Sequence, residues 1–172
     1  MKTIKKMMMA FIAISMVAVV SCKSDDDGGD GGAANSGTVS ANVDGVSYES
    51  DALGTSIQVI NAAGIETLTI TSNEFSSSKN ITIVVNGLDG EGTYEIGGGA
   101  NISIVATYIE ANASNPADTQ IWGAPFSDTV AGEFNVSSFS DTTIQGTFSF
   151  TATNTQDNSV VEVTNGSFNL DY

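Results

Sequence analysis

Thr143-Ile144-Gln145-Gly146-Thr147-Phe148-Ser149-Phe150-Thr151-Ala152-Thr153 decides the fold class. Apolar Ile144, Phe148, Phe150 and Ala152 alternate with polar Gln145, Thr147, Ser149 and Thr151, a period of two that sends one set toward a core and the other toward water. Threonine and aromatic side chains suit a pleated, half-buried surface. The run therefore predicts a long strand, turned at Asn154-Thr155-Gln156-Asp157-Asn158, with Val161 and Val163 going back along it. Across Asn165-Gly166 the apolar parity changes from odd to even, to Phe168, Leu170 and Tyr172. A β-bulge inside one long strand and a tight Asn-Gly hairpin both produce such a switch. The bulge is favoured, because the strand from Thr143 is long enough to pair the whole return run.

The same period extends toward the N-terminus. Phe134 and Val136 alternate with Asn135 and Ser137. Val39, Ala41 and Val43 run into Asp44-Gly45, a turn pair that accepts positive φ, and Val46 to Glu49 return from it. Ile57 and Val59 are joined through Asn61-Ala62-Ala63-Gly64 to Leu68 and Ile70, with Thr67, Thr69 and Thr71 on the wet face. Ile81, Ile83 and Val85 end at Asn86-Gly87; Gly92 to Ile96 is a short strand before Gly97-Gly98-Gly99; Ile102 to Ile109 reads as a central strand apolar on both faces. The longest interruption is Asn112 to Ala131, with Pro116, Trp122, Pro125 and Phe126, and is expected to be a loop. No helical period follows the first twenty residues. The expectation is an all-β chain: a single antiparallel β-sandwich or flattened barrel over residues 38–172, a length that buries about two thirds of its unfolded surface.

The N-terminal segment has a different logic. Lys2, Lys5 and Lys6 precede the apolar run Met7 to Val20, then Ser21 and the chain's single cysteine, Cys22. This order is an export signal, and the run is short for crossing about 30 Å of hydrocarbon. Val19-Val20-Ser21-Cys22 resembles the lipobox of bacterial lipoproteins, with Val19 where Leu is usual. That resemblance implies a signal peptide over residues 1–21 and acylation of Cys22, which makes Cys22 an anchor and not a nucleophile. Residues 22–37 contain no large apolar side chain and are expected to form a flexible tether. Within it, Lys23-Ser24-Asp25-Asp26-Asp27 resembles the acidic export signal that sends Bacteroidota lipoproteins to the outer face of the outer membrane. A calcium loop is a poor match, because the closing Glu of that pattern is missing.

Charge narrows the partners. Cleavage before Cys22 leaves two Lys and no Arg against twenty acidic residues, a formal charge of −18. Nucleic acid is disfavoured, since phosphate contacts need cations, and so is electrostatic docking on anionic lipid. Membrane attachment falls to the acyl chains on Cys22. With no His and no Arg, Ser-His and Cys-His nucleophile systems, His-ligated zinc and Arg clamps are all missing. What survives for catalysis is a carboxylate pair of the glycoside hydrolase kind.

Gly132-Glu133-Phe134-Asn135-Val136, the Gly146-Thr147-Phe148-Ser149-Phe150 strand and Thr164-Asn165-Gly166-Ser167-Phe168 resemble the closing pattern of a family of uncharacterised Bacteroidota lipoproteins, in which a GTFSF strand precedes a TNGSF strand. Ala41-Asn42-Val43-Asp44-Gly45 is similar to that family's A-x-V-D-G opening, and Gly92-Thr93-Tyr94 to its GTY strand. The resemblance implies fold and location, and carries no functional residues.

The functional expectation is a lipid-anchored, surface-exposed lipoprotein on the outer membrane, or otherwise on its periplasmic face. It is expected to bind a glycan, peptide or envelope protein without catalysis, cofactor or metal. Trp122, Phe126 and Tyr108 are the candidate ligand contacts, against a role for Trp122 in covering one end of the core. The alternatives are a structural subunit of an envelope assembly and a carboxylate-based glycoside hydrolase. Asp128-Thr129-Val130 and Asp141-Thr142-Thr143 resemble Bacteroidota O-glycosylation sites, which makes Thr129 and Thr142 candidates for modification.

Overall fold

The computed structural model describes residues 34–98, 103–124 and 129–172. Cys22, the Lys23 to Asp27 segment and Phe126 lie outside the described residues. The strands are β1 (Thr38–Val43), β2 (Val46–Glu49), β3 (Ser56–Ala62), β4 (Ile65–Glu74), β5 (Lys79–Asn86), β6 (Gly92–Gly97), β7 (Ile104–Glu110), β8 (Gln120–Gly123), β9 (Val130–Phe139), β10 (Thr143–Thr153) and β11 (Val160–Asp171). Two three-residue 3-10 turns, Ala52–Gly54 and Pro116–Asp118, are the only helical elements among the described residues.

Among the described residues all strands pair antiparallel in one 11-stranded sheet that does not close into a barrel. One arm runs β2-β1-β11-β10, with β9 and then β6 on the other side of β10; the second runs β8-β7-β5-β4-β3. The arms join where Thr153, at the end of β10, stands opposite Gly123 of β8. Both contribute to one core: Phe134, Phe148, Phe150 and Phe168 from the first arm, Leu68, Ile70, Ile81, Ile83 and Tyr108 from the second. Each such side chain contributes about 1.5–3 kcal/mol on burial. The buried Tyr48 hydroxyl on β2 reaches Ser72 Oγ on β4 at 2.9 Å, which ties the free end of one arm over the other. The sheet is thus folded on itself as a sandwich.

The Thr143 strand forms as its alternation predicts, and β11 is continuous through Asn165-Gly166. Phe148 pairs with Gly166 but Phe150 with Val163, and on the other side Ser40 pairs with Ser167 but Asn42 with Thr164. One extra residue in β11 is therefore registered by both neighbours. Asn165, at φ +51°, makes the bulge that switches the parity.

Three boundaries differ from expectation. The Asn61 to Gly64 connection is a two-residue turn, Ala63-Gly64, with φ +54° and +83°, because Asn61 and Ala62 continue the ladder to Glu66 and Ile65. The long loop contains a strand, β8, whose Gln120, Ile121, Trp122 and Gly123 pair with β7. Four residues are too few to display a period, so pattern reading passes over them. Ala34 to Gly37, expected in the tether, already belong to the fold: Ala34 is buried and Gly37 N donates to Asn169 O at 2.7 Å.

Candidate functional site

The inner face of the β4-β5-β7-β8 arm ends in two successive cross-strand rows. The deeper is Ser72, Ile81, Tyr108 and Trp122; the outer is Glu74, Lys79, Glu110 and Gln120. Both rows share one face, because residues two apart along a strand point the same way. Apolar burial stops at the first row and a polar rim follows.

Tyr108 is fully buried and Trp122 is 8% exposed. Their ring centroids are 5.5 Å apart at 34°, an edge-tilted pair, and each polar tip has a partner. Tyr108 donates to Glu110 Oε1 at 2.7 Å, and Trp122 Nε1 donates to Ser159 Oγ at 2.9 Å. Burial, together with the carboxylate that accepts its hydrogen bond, keeps the Tyr108 phenol protonated far above the usual tyrosine range. The two rings close one end of the core and present no open stacking face.

The rim lines an open cleft of about 470 Å³ between the β4-β5 turn and the β7-β8 connection. Lys79, the last basic residue of the chain, stands between Glu74 and Glu110 in adjacent strands and faces this cleft with Glu110, Asn112, Asp118 and Gln120. Several of these groups are positioned before any ligand arrives. Glu110 is held by Tyr108, Gln120 Oε1 accepts from Asn154 Nδ2 at 2.9 Å, and Asp118 Oδ2 accepts from Asn115 Nδ2 at 2.8 Å. Asn112 Oδ1 accepts from the backbone N–H groups of Ser114 and Asn115 and shapes the loop. Fixed carboxylate, amide and hydroxyl groups on an open surface can exchange hydrogen bonds with a polyhydroxylated ligand.

A second pair of acids has no such setting. Glu95 of β6 and Glu133 of β9 stand directly opposite each other, both exposed, beside a shallow groove that also includes Val130 and Ala131. Like charges in that position repel.

Sequence reasoning reached Trp122 and Tyr108, which sit behind the cleft, and missed the residues that line it. Lys79 was a readable signal, as the only cation after Lys23 in an acidic chain. Asn112, Asp118 and Gln120 carry no motif; the turn at Pro116–Asp118 brings them together. Thr142 is exposed in the turn between β9 and β10, and Thr129 is exposed just before β9.

A family profile described as Domain of unknown function (DUF6252) matches residues 35–170. The chain belongs to the DUF6252 family. The matched span of the DUF6252 domain holds the Ala41 to Gly45 opening and the GTY, GTFSF and TNGSF stretches, and its start agrees with the buried Ala34. Membership of an uncharacterised family is thereby borne out. No curated protein and no solved structure matches the chain.

Proposed function

We propose that this DUF6252 protein is a lipoprotein anchored through acyl chains on Cys22, sent by Lys23 to Asp27 to the outside of the outer membrane, where its β domain binds glycan in the Lys79–Glu110 cleft. The observation that carries the binding role is the preset polar rim: Glu110 and Gln120 are oriented by Tyr108 and Asn154 and leave the cleft open between them. A neutral or amino-bearing glycan fits better than an anionic one, because the cleft is lined by two carboxylates, Glu110 and Asp118, and one cation, Lys79. Location is supported by the order of the first 27 residues.

Calorimetric titration of the full chain with a panel of neutral, amino and acidic oligosaccharides tests the ligand. Saturable binding that weakens at least tenfold in Glu110→Gln and in Lys79→Met is expected. No saturation with any member would overturn the glycan reading. A hydrolase reading rests on Glu110 and Asp118 sharing the cleft; turnover lost in Glu110→Gln and in Asp118→Asn would favour it. Protease shaving of intact cells, with a periplasmic leakage control, tests location: protection until lysis would move the domain to the periplasmic face. Intact-mass spectra carrying hexose increments beyond the lipid, lost in Thr142→Ala or Thr129→Ala, would assign glycosylation.

A further inference from the structure

The amides and carboxylates on the rim of the Lys79–Glu110 cleft are each engaged at one end, and groups that cannot reverse fix which end that is. A backbone N–H only donates, so an amide held by one offers its oxygen there and turns its NH2 away. Asn112 Oδ1 accepts from the backbone N–H groups of Ser114 and Asn115 at 3.1 and 3.0 Å, which leaves its NH2 as the end open to a ligand.

Gln120 reaches the same state through an intermediary. Asn154, 1% exposed and outside the cleft lining, takes the Gln156 N–H on Oδ1 at 2.9 Å, so Nδ2 is the end that meets Gln120, also at 2.9 Å. Gln120 therefore presents Oε1 to Asn154. Its Nε2 lies on the other side, where one hydrogen reaches the carbonyl of Asp118 at 3.3 Å and a second is left for a ligand. The carboxylates are engaged at one oxygen each: Glu110 Oε1 accepts from Tyr108 and Asp118 Oδ2 from Asn115, so Glu110 Oε2 and Asp118 Oδ1 remain to accept. Lys79 carries donors only. The rim thus offers donors from Lys79, Asn112 and Gln120 beside acceptors from Glu110 and Asp118.

This arrangement sorts ligand groups. An ammonium satisfies the carboxylates but faces three sets of donors, and a carboxylate or sulfate ester satisfies the donors but faces two anions. A hydroxyl gives its proton to a carboxylate oxygen and accepts one from an amide or ammonium. Resting on the glycan reading above, we infer that the cleft takes a vicinal pair of hydroxyls on a neutral sugar, and that buried Asn154 sets this preference by fixing which end of the Gln120 amide faces the ligand. Asn154 is a positioning residue: it acts through Gln120.

Asn154→Asp tests the assignment. One oxygen of the introduced carboxylate keeps the Gln156 N–H, and the other can only accept, so the Gln120 amide must turn over and show Oε1 to the ligand. The full chain is titrated calorimetrically with three oligosaccharides that share linkage and ring stereochemistry and differ at C2: cello-oligosaccharide with hydroxyl, chitin oligosaccharide with acetamide, and chitosan oligosaccharide at a pH where its amines are protonated. The unsubstituted protein should bind the hydroxyl form about tenfold more tightly than the ammonium form, and Asn154→Asp should cancel or reverse that ratio. Thr155→Asp adds the same charge one exposed residue away without touching Gln120, and should leave the ratio as it was. If circular dichroism shows Asn154→Asp unfolded, Gln120→Glu makes the same exchange of donor for acceptor and should move the ratio the same way. Equal or tighter binding of the ammonium form by the unsubstituted protein, an unchanged ratio in the folded variant, or an equal shift in Thr155→Asp would overturn the inference and leave the glycan reading standing. No saturation with any sugar would overturn both.

Discussion

The Phe148 ring lies across Gly166: a Cβ on Gly166 would fall 2.5 Å from Cδ2 and Cε2 of that ring, and the two residues stand directly opposite on β10 and β11. Two residues along, the roles are exchanged, with Gly146 opposite Phe168, whose ring in turn stacks on Phe134 at 4.9 Å and 2°. Each strand gives up a side chain where its neighbour places a ring. The GTF and GSF triplets are two halves of one packing arrangement.

Gly146→Ala and Gly132→Ala should be more damaging than Gly166→Ala. Their added methyls meet backbone oxygens of Asn135 and Ser149 at 1.9 and 2.0 Å, closer than the 2.5 Å at which a Gly166 methyl meets the backbone oxygen and ring of Phe148. Gly166→Ala is expected to cost about 1–3 kcal/mol, in the range of an overpacked core. Urea denaturation of the three variants ranks them; equal midpoints would contradict the account.

Tyr48 and Ser72 form a directional chain, since Ser72 Oγ gives its proton to Ile81 O at 3.0 Å and so accepts from the Tyr48 hydroxyl. Tyr48→Phe should cost about 1 kcal/mol, and Ser72→Ala more, about 1–3 kcal/mol, because it strands a buried phenol. The double variant should lose less than the sum of the two. Chemical denaturation of the full cycle measures the coupling.

Alkaline pH should unfold the domain through the same residue. Burial pushes the Tyr48 phenol up to about 12 from an ordinary 10.0. The folded state therefore holds a proton that the unfolded state releases, and stability falls as pH rises from 10 to 12, by about 2 kcal/mol. Tyr108 shifts in the same direction and adds to the loss. Denaturation midpoints at pH 8, 10 and 11 should decline, and Tyr48→Phe should decline less steeply.

Trp122, the chain's one tryptophan, should report the joint between the arms. At 8% exposure its emission should resist acrylamide in the folded state and become quenchable in urea. Trp122→Ala removes a ring packed on Tyr108 and a bond to Ser159, and should cost about 3–5 kcal/mol. Strong quenching of the native protein would contradict the burial.

Fold class was legible because the long strands keep their period: Ile144 to Ala152 alternate with polar neighbours and every one of their apolar members is buried. The bulge was legible as well, through the change of parity around Asn165. β8 was not, since its four residues borrow their conformation from β7, and Ala63 at positive φ gave no warning in a residue without a polar side chain. The cleft was the least readable part. Lys79, Glu110, Asn112 and Asp118 meet only through cross-strand register and a turn, which leave no spacing in the chain.

β11 is far from β1 along the chain, yet it runs between β1 and β10. β1 must therefore wait for a strand made long after it, and while Val160 to Asp171 are still inside the ribosome both β1 and β10 have an open side. The domain depends on pairings distant along the chain, a topology that folds slowly. A stop codon ahead of Val160 yields no smaller version of this domain, because it takes out the strand on which the beginning and the end of the chain are assembled.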